Sequence, residues 1–64
     1  MTRVIVQNKE DDFIMSIDEI LHEVNRDRTE EFQNYNEQDW LENPLEVSDW
    51  LDPQYYTVTI LENT

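Results

Sequence analysis

The chain predicts an α+β fold: a small sheet, built from an N-terminal strand or hairpin plus a C-terminal strand, covered on one face by two or three short helices. Three observations carry this expectation. A β-branched run opens the chain at Val4-Ile5-Val6, and an alternating run closes it from Tyr55 to Leu61. Between them, helix start signals precede apolar residues at helical spacing. With 64 residues, 1–64 is expected to form a single domain with a small core.

Val4-Ile5-Val6 reads as the first strand. The polar Asn8-Lys9-Glu10-Asp11-Asp12 then reads as a turn, and Phe13-Ile14-Met15 as a second short strand that would complete a hairpin. Ser16-Ile17-Asp18-Glu19 has the form of a capping box, and Met15 and Ile20 are placed for a hydrophobic staple. Ile17, Ile20, Leu21 and Val24 follow at i, i+3, i+4 and i+7, which predicts an amphipathic helix from Ile17 to Asp27 with Glu23 and Arg26 able to pair on its wet face.

Thr29 is a candidate cap for a second helix, with Glu30 and Glu31 in a first turn where the helix dipole favours negative charge. Its apolar residues, Phe32, Tyr35, Trp40 and Leu41, spread around the axis and define no clear buried face. Asn43-Pro44-Leu45-Glu46 is a further start signal, with Asn at the cap, Pro at the first helical position and Glu reaching back. Val47, Trp50 and Leu51 share a face before Pro53 stops that helix. Tyr56, Val58 and Ile60 then fall on one side of the closing strand, and Tyr55, Thr57, Thr59 and Leu61 on the other. Asp39-Trp40-Leu41-Glu42 and Asp49-Trp50-Leu51-Asp52 echo one another as two similar helix ends, each expected to turn Trp and Leu inward and acids outward.

Composition excludes several functions. There is no Cys, so disulfides and thiolate metal sites are absent, and the lone His22 cannot build a zinc centre. With no Gly, neither a phosphate-cradling loop nor an EF-hand loop of the usual form is possible. No apolar run is long enough for a signal peptide or a membrane span, which predicts a cytoplasmic protein with no membrane contact. Mean hydropathy of −0.84 leans toward disorder, but two Trp, three Tyr and two Phe with organised apolar spacing favour a folded chain. Catalysis requires carboxylates whose environments separate their pKa values inside a pocket, and a chain this short without glycine loops offers little of one; the expectation is no enzyme, no cofactor and no metal.

Charge is the strongest functional signal. Sixteen acidic residues stand against four basic ones, for a net charge of −12. The four basic residues, Arg3, Lys9, Arg26 and Arg28, all precede Thr29, while Glu30, Glu31, Glu37, Asp39, Glu42, Glu46, Asp49, Asp52 and Glu62 follow. A domain so uncompensated repels itself and attracts basic partners, and it rejects nucleic acid itself. Asp39, Glu42, Glu46, Asp49 and Asp52 are spaced by three or four, the interval that places side chains on one helix face. At about 1.5 Å rise per residue the carboxylates recur about every 5 Å, against about 3.4 Å between successive phosphates of one strand. The row can therefore imitate a phosphate backbone, although Pro44 bends or breaks it. The competing reading is the solvated side of amphipathic helices; soluble surfaces, however, normally intersperse both signs.

Aromatics give a second class of reading. Trp and Tyr commonly anchor interfaces, so Trp50 and Tyr56 are expected in the core while one of Trp40, Tyr35 and Tyr55 is exposed to a partner. On this alternative the chain is an interaction module or regulatory subunit that binds through exposed aromatics, with charge serving solubility alone.

In size, charge and the Asp39 to Asp52 row, the chain resembles the small acidic inhibitors made by phages, such as DNA mimics, anti-CRISPR proteins and uracil-DNA glycosylase inhibitors. Leu45-Glu46-Val47-Ser48-Asp49-Trp50, with Pro53, Tyr56, Val58 and Thr59, is also similar to the end of small phage inhibitors of bacterial RNA polymerase. The resemblance implies a basic nucleic-acid-binding protein as target, with a CRISPR effector channel as one candidate, and the host cytoplasm as location. The expected contact residues are Glu30, Glu31, Glu37, Asp39, Glu42, Glu46, Asp49 and Asp52, together with Trp40 and Tyr35.

Overall fold

A computed structural model describes residues 2–26, 28 and 32–62. It is a small α+β fold with the order β1 (Arg3–Asn8), α1 (Ile17–Arg26), α2 (Glu37–Glu42), α3 (Pro44–Ser48) and β2 (Tyr56–Glu62). The two strands pair antiparallel, so the sheet joins the two ends of the chain. Val4 lies opposite Ile60, Val6 opposite Val58 and Asn8 opposite Tyr56; a register shift between Arg3 and Val4 sets Arg3 against Glu62.

Only β1 is well covered. Val6 is fully buried, whereas its cross-strand neighbour Val58 is 38% exposed and Ile60 is 49% exposed. The core consists of Val6, Ile20, Val24, Trp40, Val47 and Leu51, one or two residues from each element except β2, with Leu51 coming from the turn after α3. β2 contributes Tyr56 and hydrogen bonds rather than buried bulk.

The expected hairpin reduces to a single bridge, Gln7 to Ile14, and the full partner of β1 is β2. Ser16 already caps α1, which leaves Phe13-Ile14-Met15 too short to add a strand; the Met15 N–H bonds to the Val6 carbonyl at 2.8 Å and the chain turns away. In the tight loop before it, Asp12 takes φ 58°, the left-handed region that glycine would otherwise fill. The Asp12 N–H bonds to the Asn8 carbonyl at 2.7 Å, and the Gln7 side chain donates to the Asp12 carbonyl at 3.2 Å.

Around Ser16 the expected box forms. The Glu19 N–H donates to Ser16 Oγ at 3.2 Å, and the Ser16 N–H donates to Glu19 Oε1 at 3.2 Å. Ile20 and Val24 are buried, and Met15 and Ile17 pack against the core. The Glu23–Arg26 pair is present at 2.8 Å. Asp27, the expected last residue of this helix, lies outside the described residues, as do Thr29, Glu30 and Glu31.

Phe32 to Asn36 are not helical, so the second helix begins later than the Thr29 signal suggests. The cause is Asn25. Its side-chain amide donates to the Tyr35 carbonyl at 3.0 Å and its oxygen accepts the Tyr35 N–H at 2.8 Å, occupying both backbone groups that a helix through Tyr35 would need. Asn36 then caps α2 in a second capping box: its side chain accepts the Asp39 N–H at 3.0 Å, and the Asp39 carboxylate accepts the Asn36 N–H at 2.9 Å. α2 ends at Asn43, whose φ of −141° and ψ of 65° break the axis before Pro44 starts α3. Asn43 makes no side-chain cap, contrary to the sequence expectation.

α3 closes at Ser48, well before Pro53, through the tighter bonds Trp50 N–H to Val47 carbonyl (3.2 Å) and Leu51 N–H to Ser48 carbonyl (3.0 Å). Buried Ser48 satisfies its hydroxyl on the Leu45 carbonyl at 3.0 Å. Asp52 turns the chain into β2 by accepting the Gln54 N–H at 2.9 Å.

Candidate acidic interface

The predicted row of five carboxylates spans α2, α3 and the turn after them, with a break at Asn43; it is two pieces rather than one stripe. Its members differ in availability. Asp39 is half-buried and committed to the α2 cap. Asp52 is exposed but holds its own turn. Glu42 is exposed and accepts only the neutral Gln38 amide, at 3.1 Å. Glu37, Glu46 and Asp49 are exposed and make no side-chain hydrogen bond or ion pair among the described residues. Of the row, Glu42, Glu46 and Asp49 thus stay exposed without a structural task in a cap or turn, and Glu37, outside the row, joins them on α2.

Folding also moves positive charge toward the acidic half. Lys9 Nζ donates to the Pro53 carbonyl at 2.7 Å, beside Asp52. The Arg28 guanidinium lies over the Trp50 ring, 4.6 Å from its centre. Charge segregated along the sequence is thus partly mixed in space near Trp50 to Pro53, while Glu37, Glu42 and Glu46 on α2 and α3 and Asp49 just after them keep no cationic partner among the described residues, as do Glu10, Asp11, Asp12 and Asp18 nearer the start of the chain. No carboxylate of this face is ion-paired among the described residues.

The aromatic expectations need correction. Trp40 is 6% exposed and belongs to the core, because the Asn36 cap sets the α2 face that turns inward; its ring is not offered to a partner. Trp50 is half-buried rather than core, and the two Asp-Trp-Leu echoes point differently: Trp40 in and Leu41 out in the first, Leu51 in and Trp50 at the margin in the second. Tyr56 is half-buried and donates its hydroxyl to Glu23 at 3.2 Å. Tyr35 is half-buried and accepts the Trp50 indole N–H at 3.2 Å. Tyr55 is the exposed tyrosine, at 58%.

Sequence reasoning missed two features. A groove of about 670 Å³ lies between α1 and the start of β2, lined by Asp11, Asp18, Glu19, Glu23, Phe13 and Tyr56 among others, and no residue of the predicted row borders it. Its carboxylates are as far as Asp11 and Glu23 apart in sequence, so no local spacing reveals them. The second is the ring cluster around Arg28, drawn from Phe32, Tyr35 and Trp50. Among the described residues no group of three or more potential ligands could hold a metal ion, and no helix is long and apolar enough to cross a membrane.

Comparison of the chain with protein-family models, with curated proteins and with solved structures gave no match.

Proposed function

We propose that the protein is an acidic inhibitor that occupies the Lys/Arg-lined nucleic-acid-binding surface of a larger protein, such as the channel of a CRISPR effector, and competes there with the phosphate backbone. The observation that carries this reading is the exposed set Glu37, Glu42 and Glu46 on two consecutive short helices, with Asp49 at the end of the second, none of them ion-paired among the described residues. Among the described residues none of these carboxylates has a cationic partner, and their mutual repulsion opposes folding, so a basic partner is what would relieve them. Inhibition on this reading is by occupancy and not by chemistry. Attraction between opposite surfaces raises the association rate and falls steeply with salt.

The test uses the target captured from a bacterial lysate and identified by mass spectrometry. Its dissociation constant is measured for the parent and for the combined variant Glu37→Gln, Glu42→Gln, Glu46→Gln and Asp49→Asn at two salt concentrations. Asp39 and Asp52 are left intact because they hold the α2 cap and the turn into β2. The variant should fold at least as stably as the parent, bind far more weakly and lose most of the salt dependence. Equal affinity would show that the face is only solvated. Phe13→Ala and Tyr55→Ala, at residues 74% and 58% exposed, serve as the aromatic counter-test: a larger loss from these would favour the aromatic-anchored module instead.

A further inference from the structure

Arg28 is held in an unusual way for a base in so acidic a chain. Among the described residues its guanidinium has no carboxylate partner. Instead its central carbon lies 4.0 Å from the ring centre of Tyr35, 4.6 Å from that of Trp50 and 5.1 Å from that of Phe32. All three distances fall inside the roughly 6 Å within which a ring face attracts a cation. Among the described residues its one side-chain hydrogen bond is from Arg28 Nε to the Gln33 carbonyl, at 3.0 Å.

The walls of this cage are fixed without Arg28. The Trp50 indole donates to the Tyr35 hydroxyl at 3.2 Å, and the Phe32 ring meets the Trp50 ring edge-on, with centroids 5.5 Å apart and planes at 65°. The Tyr35 backbone is clamped on both sides by Asn25. The cage also opens to solvent: Phe32 is 48% exposed, and Tyr35 and Trp50 are half-buried. Asp49 and Asp52, both exposed, flank Trp50 in the chain.

We infer that Phe32, Tyr35 and Trp50 form a binding site for a guanidinium cation, that Arg28 occupies it in the free protein, and that an arginine side chain of a partner displaces Arg28 on docking. A planar guanidinium stacks on aromatic faces in a way that a compact ammonium does not, so the site selects arginine over lysine. That the incoming arginine belongs to the basic target rests on the function proposed above; the cage and its internal occupant do not. Arg28 acts as a competitor in the same chain, since an occupant present about nine-tenths of the time raises the apparent dissociation constant of an outside cation about tenfold.

The probe is methylguanidinium at constant ionic strength, followed by the indole N–H signals of the two tryptophans in 15N-labelled protein. Arg28→Gln should show a saturable shift of the Trp50 signal at a probe concentration about tenfold lower than the parent requires. The buried Trp40 signal should stay in place and so report that the fold is intact. A Trp50 signal that does not saturate in Arg28→Gln, or one that responds as in the parent, overturns the inference. If Arg28→Gln does not fold, Arg28→Lys keeps the charge but loses the planar face; methylguanidinium should then bind several-fold more tightly than to the parent, and equal affinity overturns the inference. A small cation requires no target, so this result is independent of whether α2 and α3 face one.

Discussion

Removing the cap of α2 by Asn36→Ala should destabilise the fold by about 1 kcal/mol, within the 0.5 to 2 kcal/mol that side-chain caps contribute. The substitution deletes the 3.0 Å bond to the Asp39 N–H and leaves the reciprocal bond, from the Asn36 N–H to the Asp39 carboxylate at 2.9 Å, without its counterpart. The freed N–H is that of half-buried Asp39, beside exposed Asn36, so water reaches it in part, which keeps the cost near the middle of the range. The loss is not confined to the surface, because the six residues of α2 carry Trp40 into the core. For a chain of 64 residues, an unfolding entropy of about 2.1 cal/mol/K per residue converts 1 kcal/mol into a midpoint shift of about 7 °C. Thermal unfolding followed by circular dichroism measures it. Asn36→Ser, which restores a capping oxygen, should recover most of the shift, and Asn36→Ala with Asp39→Ala should cost less than the two separately. A shift below about 2 °C for Asn36→Ala would refute the reasoning that the Asn36 box sets the start of α2.

Trp40→Ala should cost about 3 to 5 kcal/mol, as much as a core of this size supplies in total, so the variant should be unfolded by circular dichroism; a cooperative transition near the parent's would place Trp40 outside the core. Phe13→Ala, at a ring 74% exposed, should by contrast change stability by less than about 0.5 kcal/mol in a urea titration, and a larger loss would mean that the ring is packed. Raising salt shortens the screening length from about 30 Å at 0.01 M to about 8 Å at 0.15 M and weakens the repulsion of a chain of net charge −12, so the thermal midpoint should rise; a falling midpoint would show that attraction outweighs it.

Local signals in the sequence determined α1, because the Ser16 box, the Met15–Ile20 pair and the apolar spacing all act within one turn or two of a helix. They also determined that strands open and close the chain and which side of β2 carries Tyr56, Val58 and Ile60, since alternation is a property of neighbouring residues. Charge composition also set the sign of the surface, and the proposal of a basic partner rests on it. An Asn-x-x-Asp box at Asn36 is equally present in the sequence, but Thr29 with Glu30 and Glu31 offers a competing start signal seven residues earlier, and local pattern does not choose between them. Tertiary structure decided the rest. The pairing of β1 with β2 closes across almost the whole chain, and it leaves Phe13 to Met15 with one bridge. Asn25 grips Tyr35 ten residues away and delays α2. Trp40 and Trp50 share one local motif yet differ in burial, because burial depends on what packs opposite a side chain and not on its neighbours in sequence. For the same reason Lys9 reaches Pro53 and Arg28 reaches Trp50: charge that is separated along the chain is brought together when the chain folds back on itself.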